Sequence, residues 1–134
     1  MQNKIKRAVA MVLILACFLL LTACGQDAET TIDGEWVLVE KVLADGSIVN
    51  KADLKEIGMS EVYVISGEEV KYTCITPQMK PITIDMKMVK SGEKEYSFYA
   101  AETLLFAVAT LDGKRLSYTL GEPGDTITFI FEKK

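Results

Sequence analysis

The stretch EVYVISGEEVKYTCI, residues 61–75, carries the pattern that decides the fold. In its second half, Val70, Tyr72 and Cys74 alternate with Lys71 and Thr73. Successive side chains of a β-strand point to opposite faces of the sheet, so this alternation predicts a strand with one buried face and one solvated face. Because a short glycine-containing segment separates two strand-like runs, the stretch predicts an antiparallel hairpin with a tight turn.

The same period of two recurs along the chain, with one helical interruption. We predict eight strands, at residues 34–43, 61–66, 70–75, 82–89, 95–100, 103–111, 114–120 and 126–133. Asp-Gly pairs at 45–46 and 112–113 are turn signals, and Asn50 and Gly58 are typical of the start and stop of a short helix after the first strand. The segment 33–134 is therefore predicted to be an all-β domain, an eight-stranded antiparallel up-and-down barrel. A two-sheet sandwich is the alternative.

The N-terminal segment has a different composition. Lys4, Lys6 and Arg7 precede an apolar run at 8–21, which is the order of a bacterial signal peptide. Residues 21–24, Leu-Thr-Ala-Cys, resemble the lipobox of bacterial lipoproteins. The resemblance implies that residues 1–23 are removed, that the Cys24 sulfur receives a diacylglycerol, and that 24–32 form a lipidated tether to the membrane. An ordinary cleaved signal peptide and a short uncleaved anchor are the alternatives.

Charge and cysteine content limit the classes of partner. Removal of 1–23 takes away three of 15 basic residues and none of 19 acidic ones, which leaves a net charge of −7. An acidic domain of this kind is a poor ligand for nucleic acid, so we expect no nucleic-acid partner. With Cys17 in the signal peptide and Cys24 modified, Cys74 has no cysteine partner within the chain, and we expect it to be a buried small hydrophobe.

Gly34, Glu35 and Trp36 open the first strand. This G-x-W sequence, followed by eight strands in about 100 residues and preceded by a lipobox, resembles the lipocalin-like (calycin-type) barrels of small bacterial lipoproteins. The resemblance implies that Trp36 closes one end of the barrel and that a ligand enters at the other. The chain is shorter than a true lipocalin and lacks the C-terminal helix and the disulfide.

The predicted inner face is rich in aromatic residues and methionine. Twelve side chains are expected to point inward: Trp36, Leu38, Tyr72, Ile84, Met86, Met88, Tyr96, Phe98, Phe106, Tyr118, Phe129 and Phe131. Six of them are the candidate ligand pocket or, if the barrel is filled, its core: Trp36, Tyr72, Met86, Met88, Phe98 and Tyr118. An eight-stranded barrel has room either for its own side chains or for one small ligand.

Catalytic chemistry has little support in the sequence. The chain has no histidine, which excludes Ser-His and Cys-His nucleophile pairs and histidine metal sites. Residues 91–94, Ser-Gly-Glu-Lys, match the S-x-x-K motif of penicillin-binding enzymes, but they fall in a predicted hairpin turn rather than at the start of a helix. Paired carboxylates such as Glu68 and Glu69 lack the spacing of a calcium loop. We therefore expect that the protein is not an enzyme and that it binds neither a metal ion nor a cofactor.

Two functions fit these patterns. The first is a monomeric lipoprotein, anchored through Cys24 on the outer side of the bacterial cell membrane, or at an outer membrane if the envelope has one. It would bind a small apolar or amphiphilic ligand in or at the barrel mouth. The second is a filled barrel that contacts another envelope protein through its loops and acidic surface, as an adaptor or inhibitor. An accessible cavity is the feature that distinguishes the two.

Overall fold

A computed structural model of the chain describes residues 31–134. The predicted lipobox, Cys24 and signal peptide lie outside the described residues. The elements, in chain order, are β1 Gly34–Val42, β2 Ile48–Val49, α1 Lys51–Glu56, β3 Ser60–Ser66, β4 Glu69–Thr76, β5 Met79–Lys90, β6 Glu95–Ala101, β7 Leu104–Asp112, β8 Arg115–Glu122 and β9 Asp125–Lys133.

The strands form one antiparallel sheet that closes on itself. From β3 to β9 each strand pairs with the next, β1 pairs with β3 on one side, and β1 also pairs with β9 on the other. This last pairing turns an open meander into an eight-stranded up-and-down barrel, as predicted, and excludes the sandwich. The two-residue β2 was not predicted. It adds to the end of β1, where Lys41 lies opposite Val49.

The barrel has two different ends. We call the base the end at which β1 begins and at which the β3–β4, β5–β6 and β7–β8 turns lie. The turns at the base include Gly67 and Gly113, whose φ angles of 61° and 60° favour glycine. We call the opposite end the mouth; it holds the β4–β5, β6–β7 and β8–β9 turns and α1.

The short helix α1 begins and ends as its sequence predicts. The Asn50 side chain accepts a hydrogen bond from the Asp53 N–H, and the Asp53 side chain accepts one from the Asn50 N–H. This reciprocal capping box satisfies two donors that a helix N-terminus otherwise leaves free. Leu54 is the buried residue of the helix and joins the core of the barrel. No helix among residues 31–134 has the length and apolar character that crossing a bilayer requires.

The base of the barrel is densely filled. Five large side chains are fully buried: Trp36, Tyr63, Phe98, Phe131 and Leu116. The Trp36 indole N–H donates a hydrogen bond of 2.7 Å to the carbonyl of Ile32, so its one polar group is satisfied in the interior. The position of Trp36 at one end of the barrel agrees with the role that the lipocalin resemblance implies.

Candidate functional site

The candidate pocket residues lie inside the barrel, and most of them are packed. Trp36, Met86, Phe98 and Tyr118 are at most 4% exposed, and Tyr72 is 8% exposed. Met88 is only partly buried and packs against the edge of the core. These six residues therefore form part of the wall and the filling of the interior.

Tyr63, which the sequence analysis left out of the inner set, is the centre of the interior. Its ring centroid lies 4.8 Å from that of Tyr72, 5.4 Å from Phe98, 5.0 Å from Phe131 and 6.0 Å from Tyr118. The last two contacts are edge-to-face, a favoured geometry for aromatic pairs. The Tyr63 and Tyr118 hydroxyls are hydrogen-bonded to each other at 2.8 Å. Two polar groups thus satisfy each other inside an aromatic core.

A bulge in β1 changes the inner face near the mouth. The register of β1 against β9 shifts between Leu38 and Glu40, so that Leu38 lies opposite Phe131 and Lys41 lies opposite Phe129. Residues directly opposite in an antiparallel pair share a face, and one extra residue reverses the alternation that follows it. Lys41 is therefore directed inward, where its Nζ lies 4.9 Å from the centroid of the Phe129 ring.

Lys41 meets a buried carboxylate. Glu61 Oε2 lies 3.2 Å from Lys41 Nζ, and the two side chains are only 4% and 14% exposed respectively. Glu61 Oε1 accepts a hydrogen bond from the Tyr72 hydroxyl. Oε2 is at ion-pair distance from Lys41, but the angle between the groups leaves it without a hydrogen bond from the described residues. The pair is nearly enclosed, so its attraction is offset by the cost of removing both charges from water.

A second buried polar atom lies on the neighbouring strand. Thr76 Oγ1 is buried and has no hydrogen-bond partner among residues 31–134. Glu61 lies opposite Cys74, and Thr76 follows Cys74 by two residues, so Glu61 and Thr76 lie on the same inner face as diagonal neighbours. We call Lys41, Glu61, Tyr72 and Thr76 the mouth cluster.

The tyrosines of the interior stay protonated over the ordinary pH range. Burial is the main cause that raises the pKa of Tyr63, Tyr72 and Tyr118 above the usual value of 10.0. For Tyr72, the hydrogen bond to Glu61 and the charge of that carboxylate raise the pKa further. Tyr72 therefore acts as a fixed hydrogen-bond donor to Glu61.

Apolar side chains surround the mouth cluster and remain partly accessible. Ile82 lies opposite Cys74 on the inner face and is 42% exposed. Four more residues that pack against the core are only partly buried: Ile84, Phe106, Leu120 and Phe129. We call these five residues the mouth ring. Cys74, which the sequence predicts to be a buried small hydrophobe, is partly buried and packs against the core.

A groove of about 850 Å³ lies on the outside of the barrel wall. Its lining comes from β3 to β6 and the turn after β6, and it includes the outward side chains of Val64, Val89 and Tyr99. Glu69 and Lys87 lie at this groove and form an exposed ion pair at 2.9 Å, whose hydrogen bond lowers the pKa of Glu69. The groove contains none of the mouth cluster, so it is a separate surface.

The S-x-x-K segment lies at the β5–β6 turn, as predicted. Ser91 Oγ accepts a hydrogen bond of 3.0 Å from Ser97 and donates one of 3.3 Å to Glu95. These contacts describe a turn whose polar groups satisfy one another. Among residues 31–134 no group of three or more cysteine, aspartate or glutamate side chains is arranged to hold a metal ion.

The sequence analysis missed Tyr63, at the centre of the interior, and three residues of the mouth cluster, Lys41, Glu61 and Thr76. Glu61, Tyr63 and Ile65 occupy every second position in the first half of the quoted hairpin. The period of two would therefore have placed all three on the inner face. Lys41 has no comparable signal, because its direction depends on the bulge after Leu38.

Neither the protein-family models nor the curated proteins include a match to this chain.

Proposed function

We propose that the barrel is the ligand-binding, non-catalytic domain of a lipocalin-like lipoprotein, and that it holds a small apolar or amphiphilic molecule at its mouth. One observation carries the proposal: the inward apolar side chains of the mouth ring stay partly exposed beside a buried ion pair, Lys41 with Glu61. Ligand sites commonly combine an apolar lining with a few fixed polar groups. The mouth cluster and mouth ring have this composition.

The filled base favours the mouth over a deep cavity. Tyr63, Phe98 and Phe131 are fully buried in the interior, and Tyr63 lies directly opposite Tyr72 of the mouth cluster. A ligand that replaced them would remove burial that contributes several kcal/mol per aromatic side chain. The proposed ligand therefore covers the mouth ring and reaches inward only as far as Lys41 and Glu61.

The location follows from the sequence pattern of the N-terminus. The lipobox resemblance supports a diacylglycerol on Cys24, a short tether, and a position on the outer side of the cell membrane. In an envelope that has an outer membrane, the lipid anchor could instead be inserted in that membrane. After removal of residues 1–23 the net charge is −7, which supports attachment to the membrane through the lipid rather than through surface charge. The same negative charge argues against nucleic acid as a partner. Each barrel strand pairs with a neighbour on both sides, so no strand has a wholly unpaired edge, which supports a monomer.

A second candidate is an interaction module that acts as an adaptor or inhibitor of another envelope protein. The packed interior favours it, because a filled barrel presents only its surface. The outer groove, with Val64 and Val89 about half exposed, is the surface that such a partner would cover.

Binding of Nile red, a neutral apolar dye, to residues 25–134 tests the first candidate. We expect saturable binding that Leu120→Arg weakens at least tenfold, because Leu120 faces inward at the mouth ring. Thr119→Arg is the matched control, since Thr119 is the exposed neighbour on the same strand. Absence of saturable binding, or equal binding by the two variants, would contradict a mouth site.

A further inference from the structure

We infer that the part of β5 that β6 leaves unpaired binds an extended segment of another protein, which adds to the barrel as a strand and carries apolar and basic residues in alternation. The inference is independent of a ligand at the mouth and gives the chemistry of a partner for the outer groove. It is carried by two observations: the ladder between β5 and β6 stops partway along β5, and the groove of about 850 Å³ lies beside that gap.

The unpaired part of β5 is the part nearer the mouth. β5 is 12 residues long, and β4 pairs with it from Met79 to Lys87. β6 pairs with β5 only from Lys87 to Lys90, although β6 itself continues to Ala101 and pairs with β7 there. The two strands therefore separate after Lys87, and residues 79–86 have no ladder partner on the β6 side within the described part of the chain.

The direction of one hydrogen bond shows which backbone groups this edge presents. The Met88 N–H donates a hydrogen bond of 2.8 Å to the carbonyl of Glu68, which precedes β4. Successive residues of a strand direct their N–H and C=O groups to alternate sides, so Thr83 and Asp85 direct theirs to the side that β6 has left. Pro81, which has no N–H, lies on the same side, as is typical of proline in a sheet. We call residues 81–85 the open edge.

A strand is the partner that the open edge fits. Thr83 and Asp85 are exposed, so a peptide can lie along them and exchange hydrogen bonds with their N–H and C=O groups. Main-chain hydrogen bonds of this kind provide the affinity in β-strand addition. Alternate side chains of the peptide would lie beside Ile82 and Ile84 on the inner face of β5, where Ile82 is 42% exposed. These positions of the peptide should therefore be apolar.

Two acidic residues set the charge of the other positions. Asp85 on β5 and Glu102 on the turn after β6 both line the groove, and neither forms an ion pair among residues 31–134. A strand added in the groove runs between them, so its outward positions should be lysine or arginine, because opposite charges on neighbouring strands attract. A second copy of this chain fits less well, since pairing of two open edges would bring two Asp85 side chains together.

Two isomers of one peptide test strand addition on the native chain. The full chain is placed in phosphatidylcholine nanodiscs and titrated into rhodamine-Gly-Gly-Val-Lys-Val-Lys-Val-amide, followed by fluorescence anisotropy with binding to empty discs subtracted. In an antiparallel pairing the lysines lie opposite Thr83 and Asp85, and the lysine N–H groups therefore face β5. N-methylation of both lysines should weaken binding about tenfold or more relative to N-methylation of the first two valines, because two backbone hydrogen bonds are lost.

Substitutions on the protein test the same contacts from the other side. Thr83→Pro removes one edge N–H, and Thr83→Val keeps it; both lose the hydroxyl contact with Thr73. We expect the proline variant to bind the peptide about fivefold more weakly than the valine variant, the effect of one hydrogen bond. Asp85→Lys should weaken binding more than Glu132→Lys, which makes the same charge change on β9, four strands away around the barrel.

The outcomes distinguish this site from the mouth. Absence of saturable binding, or equal affinities of the two N-methylated isomers, would overturn strand addition even if Thr83→Pro fails to fold. Leu120→Arg, which tests the mouth, should leave peptide binding unchanged; loss of peptide binding in this variant would place the peptide at the mouth and overturn the inference. A dimer of the full chain that Thr83→Pro dissociates would identify a second copy as the occupant, against the proposed partner. Loss of Nile red binding alone would overturn only the proposed ligand site.

Discussion

Raising the pH above about 10 should destabilise the barrel, because burial raises the pKa of three tyrosines in its interior. Burial raises the pKa of Tyr63, Tyr72 and Tyr118 above 10.0, the ordinary value. In the unfolded chain the same side chains lose their protons near pH 10. The folded state therefore binds more protons than the unfolded state at alkaline pH. Stability from these groups is fully present below about pH 10 and is lost as the pH rises above it.

The size of the effect follows from the number of tyrosines. Each group that ionises only on unfolding lowers the free energy of unfolding by up to about 1.4 kcal/mol per pH unit. Because the unfolded tyrosines are half ionised at pH 10, the three together should lower it by about 3 kcal/mol between about pH 10 and pH 11. That is a large part of the roughly 5 to 15 kcal/mol that stabilises a domain.

Urea unfolding of residues 25–134, followed by Trp36 fluorescence at about pH 8, pH 10 and pH 11, measures this loss. The Tyr63→Phe/Tyr118→Phe double variant is the control, since it retains only Tyr72 of the three and should lose about 1 kcal/mol between about pH 10 and pH 11. Lysine ionisation is common to both proteins and cancels in the comparison. The reasoning would be refuted if the native domain and the double variant lost the same stability, or if the native domain lost none.

Three further predictions concern the base, the helix and the anchor. Trp36→Ala should lower the free energy of unfolding by about 3 to 5 kcal/mol, because it removes a fully buried indole from the base; a near-neutral result in urea unfolding would mean that the base is not packed as described. Asn50→Ala should cost about 1 kcal/mol through loss of the capping box, and an equal cost from Lys51→Ala, at an exposed neighbour, would argue against a cap effect. Cys24→Ala should abolish lipid incorporation and leave the uncut precursor, whereas unchanged partitioning into a detergent phase would contradict the predicted anchor.

The strands and the closed barrel could be predicted from the sequence because both depend on local rules. Alternation of apolar and polar residues marks the inner face of β4 and β5, and short turns such as Asp112-Gly113 force antiparallel neighbours. The helix α1 was predicted from Asn50 and Gly58 for the same reason, since caps act within one turn. These features need no knowledge of distant parts of the chain.

The mouth cluster depends on the three-dimensional fold and could not be predicted in this way. Lys41 points inward only because one residue bulges out of the ladder between β1 and β9, and no local residue type in that segment demands it. Glu61 is a charged residue on an otherwise apolar face, and its burial is compensated by Lys41, twenty residues away in the sequence. A pairing of this kind becomes visible only when the barrel closes.

Cys74 shows a related limit of pattern reasoning. Its alternation with Val70 and Tyr72 places it inward, and the register confirms that it lies on the inner face, opposite Glu61 and Ile82. It is nevertheless only partly buried, because that part of β4 lies near the mouth. The period of two gives the direction of a side chain but not its depth along the barrel axis.

Native mass spectrometry of residues 25–134, purified from cells without denaturant and compared with the denatured mass, tests the central claim most directly. The account predicts a specific adduct that is lost on unfolding and has the mass of a small apolar or amphiphilic molecule. It also predicts that Leu120→Arg abolishes this adduct while Thr119→Arg preserves it. A bare native mass, even after exposure to pools of neutral lipids, would contradict a ligand site at the mouth and favour a barrel that acts through its outer surface.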